Sequence, residues 1–106
     1  EVADSVREFT PRLLAEFKPR TPQTFIASFY DEDATQANLL NIIENLADGV
    51  SELMSHPGYA DADLLDVQSG SIYARQRESE LSILTAPEVR AAIQRRGIEL
   101  ITFRDL

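Results

Sequence analysis

Gly49-Val50-Ser51-Glu52-Leu53-Met54-Ser55-His56-Pro57-Gly58-Tyr59 decides the fold class of this 106-residue chain. The stretch reads as an apolar strand that stops at a histidine, the only one in the sequence. Pro57 fixes φ and lacks a backbone donor, and Gly58 can take φ > 0, so the pair predicts a turn directly after the imidazole. His56 then stands at the C-terminal tip of a strand. In α/β architectures that edge collects ligands and catalytic groups.

Working outward, the flanking segments alternate in period. Val2, Val6, Phe9, Leu13, Leu14 and Phe17 recur at helical spacing. Pro11 interrupts them, either kinking one helix or opening a second one capped by Thr10. Residues 24–30 are short and rich in strand formers, which predicts a buried strand. Asp33 with Gln36 three residues on predicts a capping box for the next helix, whose apolar face is Leu39, Leu40, Ile43, Leu46 and Ala47. Gly49 is expected at that helix's left-handed end. Residues 60–71 read as a polar loop. Helices are expected over 73–84 and 85–96, the second boxed by Thr85 and Glu88 and stopped at Gly97. Residues 98–103 read as a last apolar strand. The order α-β-α-β-loop-α-α-β predicts parallel pairing and an α/β fold.

Composition excludes several classes. One compact unit fits in this length, so residues 1–106 are expected to form a single α/β unit. The apolar fraction of 43% is that of a folded chain. A formal charge of -8 argues against nucleic-acid and anionic-membrane partners, because no basic surplus is present to bind phosphate. Zero cysteines exclude disulfides, a thiolate nucleophile and a Cys-type zinc site, and fit a reducing, cytoplasmic location. No run of about 18 apolar residues is present to span a bilayer, and the N-terminus carries no signal-peptide pattern.

Three ordered motifs resemble the YdjC family of carbohydrate deacetylases. Glu52-Leu53-Met54-Ser55-His56-Pro57-Gly58-Tyr59 matches the family's late "ELM-(C/S)-HPGY" strand. Tyr73, Arg77, Glu78, Glu80 and Leu81 match its "Y…RE-x-EL" helix. Thr85-Ala86-Pro87-Glu88-Val89-Arg90 and Arg96-Gly97-Ile98-Glu99-Leu100-Ile101-Thr102-Phe103-Arg104-Asp105-Leu106 match its "TSPEVR…RGIELI-x-(F/Y)RDL" ending. The resemblance covers about residues 21–106 and corresponds to the C-terminal part of a family member. It implies the C-terminal segment of a distorted (β/α) barrel, with about three mainly parallel strands and helices. It implies a metal-dependent hydrolase that removes N-acetyl groups from amino sugars or chito-oligosaccharides. The family's metal site draws on an early "ADDFG"-like aspartate and two mid-chain histidines, and neither occurs here. The divalent metal, magnesium or zinc, is therefore expected to be held mostly outside this chain, and the isolated fragment is expected to be inactive. The remainder of the deacetylase domain and an acetylated sugar are the implied partners. Uncovered sheet edges further predict a homo-oligomer. The competing reading is a non-catalytic α/β interaction or oligomerisation module.

Against this background a few side chains stand out. His56 can satisfy a buried turn, or it can move protons near neutral pH. With the resemblance, its implied role is to protonate the departing sugar amine or to stabilise the tetrahedral oxyanion. A metal-ligand role is the alternative, although one histidine without clustered ligands is a poor site. Glu52 lies four residues before His56, on the same strand face by alternation, and is a candidate orienting carboxylate. Two residue steps of about 6–7 Å separate neighbours on a face, so direct contact is not guaranteed by spacing. Tyr59 could stack on a sugar ring or fill a turn. Arg77 could reach substrate or tie down the loop by an ion pair. Asp61, Asp63 and Asp66 lack the glycine and terminal glutamate of a calcium loop.

Overall fold

The computed structural model describes the backbone of residues 2–59 and 70–106, and the side chains of residues 3–59 and 75–106. Helix α1, Val2–Phe17, is continuous, with Pro11 inside it rather than at a second helix start. Lys18, at φ 47°, turns the chain out of it, and its N–H is donated to the Leu14 carbonyl at 2.9 Å.

Strand β1, Thr24–Ile26, pairs in parallel with β2, Ser51–Leu53, in the register Thr24↔Ser51, Phe25↔Glu52 and Ile26↔Leu53. Helix α2, Gln36–Glu44, connects them. The expected β-α-β unit is thus present, but β1 is shorter than the run 24–30. The chain leaves the strand after Ile26 and sends Phe29, 0% exposed, into the core. A 3-10 turn at Asp31–Asp33 follows. Thr35, not Asp33, caps α2, its hydroxyl accepting the Asn38 N–H at 3.1 Å. The helix ends at Asn45, so Gly49 (φ 97°) serves the turn into β2 instead of the helix end. Its left-handed φ favours glycine there. An added Cβ would also lie 3.2 Å from Gln23 Oε1, which accepts the Val50 N–H at 2.6 Å.

Helix α3 spans Gly70–Leu84 and α4 spans Pro87–Arg95. Thr85 does not form the expected cap. Its hydroxyl donates backwards to the Leu81 carbonyl at 2.8 Å, and Ala86 is the N-cap with Pro87 first in the helix. Gly97, at φ 65°, ends α4 in a Schellman motif: Gly97 N–H donates to Gln94 O and Ile98 N–H to Ile93 O, each at 3.0 Å.

The core is Phe29, Ala34, Leu39, Ile43, Val89 and Ala92, flanked by Leu53, Ile83, Leu84, Ile93 and Ile98. It is the layer where α2 meets α4. At its rim Arg95 pairs with Glu44 and Arg96 Nε donates to the Ile43 carbonyl at 3.4 Å, so the basic end of α4 is tied to α2.

The predicted third strand, 98–103, is not one. Among the described residues the sheet has two strands. A box at Thr102 and Asp105 folds the chain end into a 3-10 turn, Phe103–Asp105, and Leu100 and Phe103 stay exposed. A strand needs a neighbouring edge, and apolar β-formers alone do not supply one. An apolar cleft of about 880 Å³ lies between this tail, the sheet and α2, lined by Ile26, Leu53 and Ile101 among others. Neither His56 nor Tyr59 borders it.

Candidate functional site

The two parallel strands end at the same edge, and both tips are held by α3. The Met54 N–H donates to the Ile26 carbonyl at 2.9 Å. Beyond it two backbone donors, those of His56 and Gly58, turn to the helix. The His56 N–H donates to Glu80 Oε1 at 2.8 Å, and the Gly58 N–H donates to the Arg77 carbonyl at 3.1 Å. Pro57, between them, has no N–H to place. Gly58 lies outside the left-handed region, so the expected turn at Pro57–Gly58 does not draw on a positive φ. The tip packs against Arg77, where a Cβ at position 58 would make ordinary contact, 3.6 Å from Arg77 Cβ.

The β1 tip is fixed from two sides. Gln76 Nε2 of α3 donates to the Asp31 carbonyl at 2.5 Å. Asn38 Nδ2 of α2 donates to the Ser28 and Asp33 carbonyls at 3.2 and 2.7 Å. Asp31 is held at φ 52°, an uncommon conformation for a non-glycine residue. This places Tyr30 against His56, with ring centroids 5.6 Å apart and planes at 68°, an edge-to-face contact.

Sequence reasoning located His56 at the end of a strand; the strand stops earlier, at Leu53, and His56 follows three residues on, half-buried. Tyr59 lies three residues on and is 75% exposed. Arg77 is half-buried under the tip. Glu52 sits within β2, in register with Phe25, and is half-buried. The carboxyl group that bonds the His56 main chain is that of Glu80, which is 1% exposed. Glu80, Tyr30, Gln76 and Asn38 were not singled out as site residues. Glu80 had a signal, the i, i+3 spacing from Arg77 in the motif helix, which puts the two on one helical stripe. Tyr73's side chain and residues 60–69 of the expected loop 60–71, with Asp61, Asp63 and Asp66, lie outside the described residues, while residues 70 and 71 belong to α3.

The half-buried imidazole is aimed by a hydrogen-bonded main chain and an aromatic edge, an arrangement suited to proton transfer. Metal binding is another matter. Among the described residues no group of three or more His, Asp or Glu side chains is placed to hold an ion. A divalent metal therefore does not fit the donors that the described residues supply. No helix among the described residues is long and apolar enough to cross a membrane.

Comparison with known proteins adds a consistent set of likenesses. The family model described as YdjC-like protein matches residues 2–95. A carbohydrate deacetylase of Brevibacillus brevis is 42% identical over 87 residues, 81% of this chain and 34% of that protein. A chitooligosaccharide deacetylase of Yersinia pestis is 37% identical over 90 residues, 82% of this chain and 34% of that protein. The chain therefore spans about a third of the length of these curated relatives. A crystal structure from Enterococcus faecalis, provisionally described as a cellobiose-phosphate cleavage protein, superposes with a TM-score of 0.72. It is 31% identical, and the match covers 92% of this chain and 38% of that one.

Proposed function

Because the chain belongs to the YdjC-like family, we propose that it supplies one catalytic edge of a carbohydrate deacetylase. The substrate class is an N-acetylated amino sugar or chito-oligosaccharide, and the reaction is amide hydrolysis to acetate and a free amine. In this reading the chain is the C-terminal segment of a (β/α) barrel, and the remainder of the domain supplies the ligands of a magnesium or zinc ion. The isolated segment is then inactive, and the protein works in the cytoplasm. The observation that carries the reading is the placement of the sole histidine at the shared C-terminal edge of two parallel strands, clamped by Tyr30 and Glu80.

On this chain the chemistry falls to few groups. Attack on the acetyl carbonyl gives a tetrahedral centre whose C–N bond breaks only if the nitrogen is protonated. His56 delivers that proton, or in its charged form stabilises the oxyanion. Tyr59, exposed beside it, offers a ring for stacking on the sugar. The Arg77 side chain can donate hydrogen bonds to sugar hydroxyls. Glu52 orients from within β2.

Replacing His56 by alanine in the full-length protein tests this. With acetylated chito-oligosaccharide as substrate, kcat should fall about 10²–10⁴-fold, the range for losing a general acid. Metal content by elemental analysis should stay unchanged. Full turnover would make His56 structural, and loss of metal would make it a ligand.

A second reading, a non-catalytic interaction module that self-associates, is favoured by one observation. Val6, Phe9, Leu13, Leu14 and Phe17 on α1 are all about half exposed or more. Native protein without acetate release on any N-acetylated sugar would favour it.

A further inference from the structure

We propose that Glu80 is the positioning residue for His56, holding the strand tip through the main chain so that the imidazole meets the reacting amide. The inference rests on the role given to His56 above.

The His56 N–H lies beyond the strand pairing. The β1–β2 ladder has run out two residues earlier, at Met54. Pro57 then removes the following donor. A half-buried N–H at this point has no strand partner to turn to and must find one elsewhere. It finds Glu80 Oε1 at 2.8 Å.

Glu80 is an unusual choice of acceptor. Glutamate is among the residues least often fully buried, yet this one is 1% exposed, as sealed as the apolar core around it. Burying a carboxyl group is costly unless its oxygens are bonded. Where only packing is needed, leucine would fill the same helical position more cheaply. The group earns its place by accepting a hydrogen bond, and the donor is the backbone of the one histidine.

The bond constrains more than one atom. Glu80 and Arg77, three residues apart on α3, take the two tip donors in turn, at His56 and Gly58. Gln76, on the same helix, takes the Asp31 carbonyl at the other tip, next to Tyr30, whose ring edges onto the imidazole. One rigid helix therefore fixes the imidazole from its own main chain and from the aromatic beside it. Misplacement by about 1 Å can cost about 10²-fold in rate, so such bracing bears on turnover rather than on substrate affinity.

The test uses the full-length protein with Glu80→Gln and Glu80→Ala, beside His56→Ala. Two readouts are taken: the chemical shift and hydrogen exchange of the His56 amide by NMR, and kcat and KM on acetylated chito-oligosaccharide. Glu80→Gln keeps an acceptor oxygen of the same reach. It should shift the His56 amide proton upfield while retaining exchange protection and most of kcat. Glu80→Ala should abolish protection at His56 and lower kcat by about 10²-fold, with KM held within about threefold. A His56 amide indifferent to both substitutions overturns the proposal whatever the activity does. In Glu80→Ala, lost protection of the His56 amide with unchanged kcat, while His56→Ala is crippled, also overturns it and leaves the role of His56 standing. If His56→Ala is fully active, the role of His56 itself fails, and the proposal with it. Should Glu80→Ala not fold, the amide response in Glu80→Gln still decides whether the bond exists.

Discussion

Replacing Asn38 by alanine should destabilise the protein by about 1.4 kcal/mol and loosen the Tyr30 tip. The side chain makes two bonds, to the Ser28 carbonyl at 3.2 Å and the Asp33 carbonyl at 2.7 Å. Each such bond contributes about 1 kcal/mol net. Ser28 and Asp33 are exposed, so water can take over their freed carbonyls and the larger penalty for a sealed, unsatisfied group does not apply. Against about 2 kcal/mol lost, alanine in place of asparagine returns about 0.6 kcal/mol of helix propensity. The difference is the figure above. Asn38→Asp separates the bonds from all else. It keeps the shape but loses both donors, and it sits in the first turn of α2, where a negative charge gains about 0.3–1 kcal/mol from the helix end. A stability governed by the helix would rise. One governed by the two bonds falls, because a carboxylate then faces two carbonyls beside Asp31, Glu32 and Asp33. Urea unfolding followed by circular dichroism, with the slope unchanged and only the midpoint moving, measures both variants. If Asn38→Asp is as stable as the native protein, the account of this loop is wrong.

Two further outcomes follow from the core and the surface. Ile43→Ala, at a residue 5% exposed, should cost about 2–3 kcal/mol by urea titration, the low end for such truncations because the site borders the cleft and can relax. The isolated chain should self-associate through the apolar stripe of α1 and the exposed Leu100 and Phe103. Sedimentation equilibrium should then show a mass above the monomer at high concentration, and Leu13→Glu should restore the monomer.

The β-α-β unit and the pair of helices after it were legible because their signals are local. Apolar period and a glycine after Arg96 are each written in adjacent residues. The ends of elements were not, because several groups compete for each end. Asp33 and Thr35 both precede α2, and the structure gives the cap to Thr35, whose hydroxyl accepts the Asn38 N–H. The run 98–103 has strand composition, but pairing needs an edge that no residue within the run encodes. The same division holds at the site. His56 was legible as a lone histidine ahead of Pro-Gly. Tyr30 and Glu80 meet it from 26 residues before and 24 residues after, and although Glu80 lies on the motif helix, neither separation encodes contact with His56.

The motif helix gains a physical meaning from this contact set. A strand tip that has left its ladder still carries main-chain donors, and each one near the interior has to be placed. Here the donors of His56 and Gly58 are both placed on α3, one on a side chain and one on a carbonyl. The two roles differ in what sequence they demand. Glu80 acts through its side chain, so its identity matters. Arg77 bonds Gly58 through its carbonyl, which any residue would supply, so that bond does not account for an arginine. What does call for one is the side chain's own position, half-buried and packed against Gly58 at the edge that carries the imidazole. Substitution of Arg77 therefore leaves the acceptor of the Gly58 N–H in place. The helix pairs a residue that aims the histidine through its side chain with an arginine half-buried against the same tip.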